Sequence, residues 1–166
     1  MLTAFQLRVS RSILDLGIRD IGNLLNTSRT TVYIWENKPN LSYINTKTDS
    51  PNCLKTFFEQ KNIFFPDERT ISLYQNALVP VNKNALTRFQ LKAARIALRL
   101  SQSELANYIG ILQQVIARAE ILDNKEFVRI KNKDAIARLL KFFQSNGVYF
   151  PNNLSIQIPF DDKIKD

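Results

Sequence analysis

The chain contains the same pattern twice, and that duplication constrains its fold more than any other feature. Leu2-Thr3-Ala4-Phe5-Gln6-Leu7-Arg8 recurs 84 residues later as Leu86-Thr87-Arg88-Phe89-Gln90-Leu91-Lys92. The register continues through Arg11 with Arg95, Leu14 with Leu98, Leu16 with Leu100, Asp20 with Glu104, Asn23 with Asn107, Val32 with Ile116 and Glu36 with Glu120. One inserted residue then shifts the offset to 85: Leu54 matches Leu139, Phe57-Phe58 matches Phe142-Phe143, and Phe65-Pro66 matches Phe150-Pro151. Ile71 and Leu73 match Ile156 and Ile158. Whatever one half folds into, the other should fold into as well. The divisions are repeat 1 at 1–75, a linker at 76–85, repeat 2 at 86–160 and a charged tail at 161–166 that begins just after Phe160. Pro80, Asn76, Asn82 and Asn84 mark the linker as irregular.

Each repeat reads as mainly helical. Thr3 and Thr87 are suited to cap helices reaching about Asp15 and Arg99, with Phe5, Val9, Ser12 and Ile13 and then Phe89, Ala93, Ile96 and Ala97 at helical spacing. Second helices are expected at Ile18–Leu25 and Gln102–Ile109. Ser101 with Glu104 has capping-box spacing. Gly110 tolerates a left-handed turn, and Asn26 takes that place in repeat 1. Third helices follow at Arg29–Glu36, capped by Ser28, and at Gln113–Ile121, where Leu112 stands in the cap position. Fourth helices are expected at Pro51–Lys61 and Asp134–Ser145. Each repeat closes with a β-hairpin, Ile63–Phe65 with Thr70–Leu73 and Val148–Phe150 with Ser155–Ile158. Such strands often pair across domains, so the hairpins are candidates to hold the halves together.

Composition narrows function. The formal net charge is +8, and the cations are interspersed rather than gathered in a tail. That favours a folded face for a polyanion: nucleic acid first, an anionic membrane surface second. Residues 1–83 carry +3 and residues 84–166 carry +5. There is no histidine, and the single cysteine, Cys53, reads as a small apolar helix residue. With four glycines and no phosphate-binding glycine loop, no catalytic, cofactor or metal constellation presents itself, and the reading is of a non-enzyme. No apolar run is long enough for a transmembrane helix, and the N-terminus has no basic region followed by an apolar core, so a cytoplasmic location is expected.

Gln102-Ser103-Glu104-Leu105-Ala106 and the ending Ile116–Glu120, with Arg19-Asp20-Ile21-Gly22 and Thr31-Val32-Tyr33-Ile34-Trp35-Glu36 in repeat 1, resemble the helix-turn-helix of phage lambda-type repressors and the xenobiotic-response-element regulators. The resemblance implies two tandem lambda repressor-like helix-turn-helix domains, each followed by a short β-hairpin, in a cytoplasmic, nucleoid-associated bacterial transcription regulator. It also implies a third helix that enters the major groove of double-stranded DNA. Ile21, Leu25, Val32 and Trp35, and Leu105, Ile109, Ile111, Ile116 and Ala119, fall where such a motif buries apolar side chains. Gly22 and Ala106 fall where its helices approach closely. Arg11 with Glu36 and Arg95 with Glu120 resemble a family ion pair that orients the third helix.

By position, the DNA-facing residues of repeat 1 are Ser28, Arg29, Thr30, Tyr33 and Ile34, with Asn37 and Lys38 beyond. Arg29 suits guanine, and Thr30 suits a thymine methyl or a phosphate. In repeat 2 they are Leu112, Gln113, Gln114, Ala117 and Arg118, with Gln113 or Gln114 suited to adenine. Gln102 resembles the family's phosphate-binding glutamine. Arg19, Lys38, Lys125, Arg129, Lys131 and Lys133 are candidates for backbone contacts. The exposed apolar character expected at Leu112, Ala117 and Ile121 leaves a second reading open, an antitoxin-like or cofactor protein-interaction module with degenerate DNA binding. A homodimer through the hairpins or through repeat 2 is left open as well.

Overall fold

The computed structural model describes residues 1–45, 50–75, 81–132 and 134–160. Repeat 1 contains α1 (Ala4–Ile13), α2 (Ile18–Leu24), α3 (Arg29–Glu36), α4 (Ser50–Gln60) and β1 (Thr70–Ser72). Repeat 2 contains α5 (Arg88–Ala97), α6 (Gln102–Ile109), α7 (Gln113–Ala119), α8 (Ala135–Ser145) and β2 (Ser155–Gln157). The element order is the same in both. Linker residues 76–80, the tail 161–166 and Lys133 lie outside the described residues.

The helix starts follow from local hydrogen bonding. Thr3 and Thr87 accept from the backbone N–H of Gln6 and Gln90, and those glutamines accept from the threonine N–H in return. The same side chains tie each first helix to its own hairpin turn. Thr3 Oγ1 donates to the Glu68 carbonyl and Gln6 Nε2 to that of Asp67, while Thr87 and Gln90 donate to Asn153 and Asn152. Ser101 and Glu104 form the expected capping box, and Ser28 accepts from Thr31 N–H. Left-handed residues repeat at Asp15 and Arg99, Asn26 and Gly110, and Asn62 and Gly147.

One sequence boundary needs correction. α7 ends at Ala119, leaving Ile121 beyond the helix and 82% exposed. Phe160, the last residue of repeat 2, lies 3.9 Å beneath the Arg69 guanidinium while its ring stays 65% exposed.

The halves are joined by equivalent surfaces in opposed orientation. β1 and β2 pair antiparallel, with Ile71 opposite Ile156. These two residues correspond under the duplication, so the sheet is self-complementary about a pseudo-two-fold axis, as in an isologous dimer. Ser155 Oγ bonds Ser72 Oγ across it. Single bridges, Phe64 with Ser72 and Tyr149 with Gln157, make each expected hairpin a minimal one. The inner strand edges are thus used within the chain.

α1 packs on α5 beside this sheet, and both helices are buried nearly all round. Two arginines fasten the contact from different places in the repeat. Arg8 donates to the carbonyls of Glu36, Ile96 and Ala97 and to Asn40 Oδ1. Arg88 donates to the carbonyls of Glu120 and Ile13 and to Asn124 Oδ1. Arg88 corresponds to Ala4 and Arg8 to Lys92, one helical turn apart, yet both guanidiniums reach equivalent acceptors. Fully buried Phe5, Phe58, Phe89 and Phe143 anchor the core.

Candidate functional site

Between α2 and α3 the chain turns within a few residues. Asn26 is left-handed at φ 48°, and Thr27 N–H donates to the Gly22 carbonyl at 2.8 Å. A Cβ on Gly22 would stand 2.9 Å from the Thr27 oxygen, so this approach requires glycine. Repeat 2 is slightly more open. Ala106 occupies the matching position, Gly110 turns at φ 74°, and Ile111 N–H reaches Ala106 O at 3.0 Å. Val32 and Trp35 bury one face of α3, and Ile116 and Ala119 one face of α7.

What aims these helices is a pair of forked ion pairs. Arg11 Nε and Nη2 meet the Glu36 carboxylate at 2.6 and 2.9 Å, and Arg95 meets that of Glu120 at 2.6 and 2.7 Å. The third guanidinium nitrogen donates to Leu16 O or Leu100 O, where each first helix has just ended. The far ends of α3 and α7 are therefore held to α1 and α5, as the sequence predicts.

The outward face of α3 carries Arg29, Thr30, Tyr33 and Ile34, the last two 57% and 55% exposed. Arg29 and Arg19 meet at a shallow cleft of about 480 Å³ where α2 and α3 begin. The acid in that cleft, Asp20, accepts from Gly17 N–H at 2.6 Å. Two other sequence candidates have side chains engaged elsewhere. Ser28 is the cap and shares a hydrogen bond with Thr31 Oγ1, while Asn37 Nδ2 donates to Tyr33 O. Half-buried Lys38 offers its carbonyl to Arg99.

α7 differs. Leu112 makes no cap bond and is 73% exposed. Gln113, Gln114 and Arg118 are exposed, and Ala117 is half-buried. Gln102 Nε2 donates to Glu120 Oε2, and Gln102 Oε1 accepts from Gln113 Nε2, both at 2.9 Å. Arg95, Glu120, Gln102 and Gln113 thus form one chain of contacts from the core to the surface. It fixes which way the Gln113 amide faces, leaving its Oε1 and one N–H outward. The sequence placed Gln102 and Gln113 separately; the repeat 1 counterparts, Ile18 and Arg29, give no hint of the bond.

Of the outlying cations, Arg129 and Lys131 are exposed, and Lys125 sits 4.6 Å above the Tyr74 ring. Two carboxyls are shifted. Burial raises the Asp15 pKa, but the hydrogen bond and charge of Lys92, with Arg88 behind it, outweigh this and bring it below the usual aspartate value. The Ser101 backbone and side-chain hydrogen bonds lower that of Glu104. Among the described residues no helix is long and apolar enough to cross a membrane. Protein-family models, curated proteins and solved structures give no match to this chain.

Proposed function

We propose that the chain is a sequence-specific transcription regulator that binds double-stranded DNA through two tandem lambda repressor-like helix-turn-helix units. The observation that carries this reading is the repeated third helix. In each half it is aimed by a forked ion pair to the first helix, buried on one face, and unpacked on the face bearing Arg29 and Thr30 or Gln113 and Gln114. Such a helix fits the major groove of B-DNA. Arg29 pairs with guanine, with Thr30 beside it against a thymine methyl. Gln113, already oriented, offers one donor and one acceptor to adenine. Arg19 and Gln102 lie where phosphates pass, and the net charge of +8 supplies the sequence-independent part of the affinity. Neither chemistry nor a cofactor is part of this role, and the place of action is the cytoplasmic nucleoid.

The two units differ, so the pseudo-two-fold chain reads an asymmetric site. Strand pairing inside the chain supplies what a homodimer of single units would otherwise provide. The test is a titration of purified protein with selected and scrambled duplexes over a range of salt. The expected result is an affinity that falls steeply with salt yet prefers the selected duplex by about a thousandfold or more. Equal affinity for both duplexes overturns the reading.

A further inference from the structure

The segment that leaves α7 turns back alongside it and leaves an open groove of about 700 Å³. Its floor is apolar: Ile111, Val115, Ala119, Leu122, Phe127 and Ile130. Its rim is basic. Arg118, Arg129 and Lys131 all line it, and among the described residues none of them forms an ion pair. The one acid on the rim, Glu126, is engaged, its Oε1 accepting from Asp123 N–H at 3.2 Å. Exposed Leu112 and Ile121 flank α7 at its two ends, outside the groove's lining.

The duplication shows that this combination belongs to repeat 2 alone. At the offset of 84, Ile111, Val115, Arg118 and Arg129 correspond to Thr27, Thr31, Ile34 and Asn45. Polar residues stand at those two floor positions and uncharged ones at those two rim positions, while Lys131 keeps a basic counterpart in Lys47. The scaffold therefore does not require the groove.

We propose that this groove binds an acidic segment of a partner protein that also carries large apolar side chains. Nucleic acid would satisfy the cations but leave the floor against water, whereas an acidic amphipathic peptide satisfies both. The groove shares no residue with the Arg19–Arg29 cleft of repeat 1, so a partner seated against α7 leaves the α3 reader free while it covers Arg118 of the repeat 2 reader.

The test uses the full chain and a short fluorescein-labelled peptide with glutamates on one helical face and leucine and phenylalanine on the other, followed by anisotropy. The acidic peptide binds saturably, and its lysine counterpart does not. Reversing two of the three exposed rim cations, Arg129→Glu with Lys131→Glu, weakens binding about tenfold or more. Phe127→Ala weakens it through the floor, and unfolding midpoints verify that both variants fold. Arg29→Ala with Thr30→Ala leaves peptide binding unchanged and affects DNA alone, which separates failure of this proposal from failure of the DNA reading. Four results overturn it: no saturable binding, equal binding of the lysine peptide, indifference to rim reversal, or displacement of the peptide by a duplex that the reversed variant no longer binds.

Discussion

Replacing Arg95 by methionine removes one side of an ion pair that is almost fully enclosed. The Arg95 side chain is 9% exposed and that of Glu120 is 5%. The carboxylate left behind keeps only Gln102 as a side-chain partner, and Leu100 O loses its guanidinium donor. An uncompensated charge at such a site costs about 3–5 kcal/mol, a large share of the roughly 5–15 kcal/mol that holds a domain folded. The unfolding midpoint should fall by roughly 6–20 °C for a chain of this size. Arg95→Met with Glu120→Leu removes both charges and leaves only unpaired neutral partners, at about 1–2 kcal/mol. The double variant is therefore more stable than the single one. Urea titration followed by circular dichroism, with both slopes compared, measures the cycle. A double variant no more stable than Arg95→Met refutes the claim that the pair acts as a buried unit.

Three further outcomes follow from single features. Ser10 is fully buried at the α1–α5 contact with an unpartnered hydroxyl, where repeat 2 has Ala94, so Ser10→Ala should stabilise the chain by about 1 kcal/mol in the same titration, and a loss counts against it. Leu112→Ser should raise the midpoint by supplying the cap that α7 lacks, and Ser28→Ala should lower it by about 1 kcal/mol; equal responses contradict the capping account. Because the Asp15 pKa is lowered in the fold, its contribution is present above the unfolded value of about 3.9 and fades as pH falls below it. The side chain is 72% exposed and largely screened, so Asp15→Asn should cost well under about 1 kcal/mol at neutral pH and progressively less in acid. A difference that grows in acid reverses the expected sign.

Much of the fold was legible because it rests on local chemistry that the duplication displays twice. Threonine and serine caps and the left-handed pair Asn26 and Gly110 depend on residues within a turn, and the two forked ion pairs join residues 25 apart that recur in the same register. What escaped depends on how the halves meet. α1 reads as amphipathic, yet Leu7, Arg8 and Ser10 are also buried, because a second apolar partner covers that side. Arg8 and Arg88 do not align in the repeat, so their shared role shows only when their acceptors are seen. The hairpins were expected to join the halves, but not with Ile71 on the axis. At the candidate site, exposure followed from helix position, whereas the committed side chains of Ser28 and Asn37 and the Gln102–Gln113 bond did not. The groove beside α7 is formed by an irregular segment without periodicity.

Genome-wide binding of the tagged chain in its own cells tests the central claim most directly. Three versions are compared: the native chain, Arg29→Ala with Thr30→Ala, and Gln113→Ala with Gln114→Ala. Two unequal readers predict sharp peaks over a non-palindromic motif, with each variant losing preference in a different half of it. Diffuse signal in the native chain, or peaks untouched by both variants, contradicts DNA reading through these two helices.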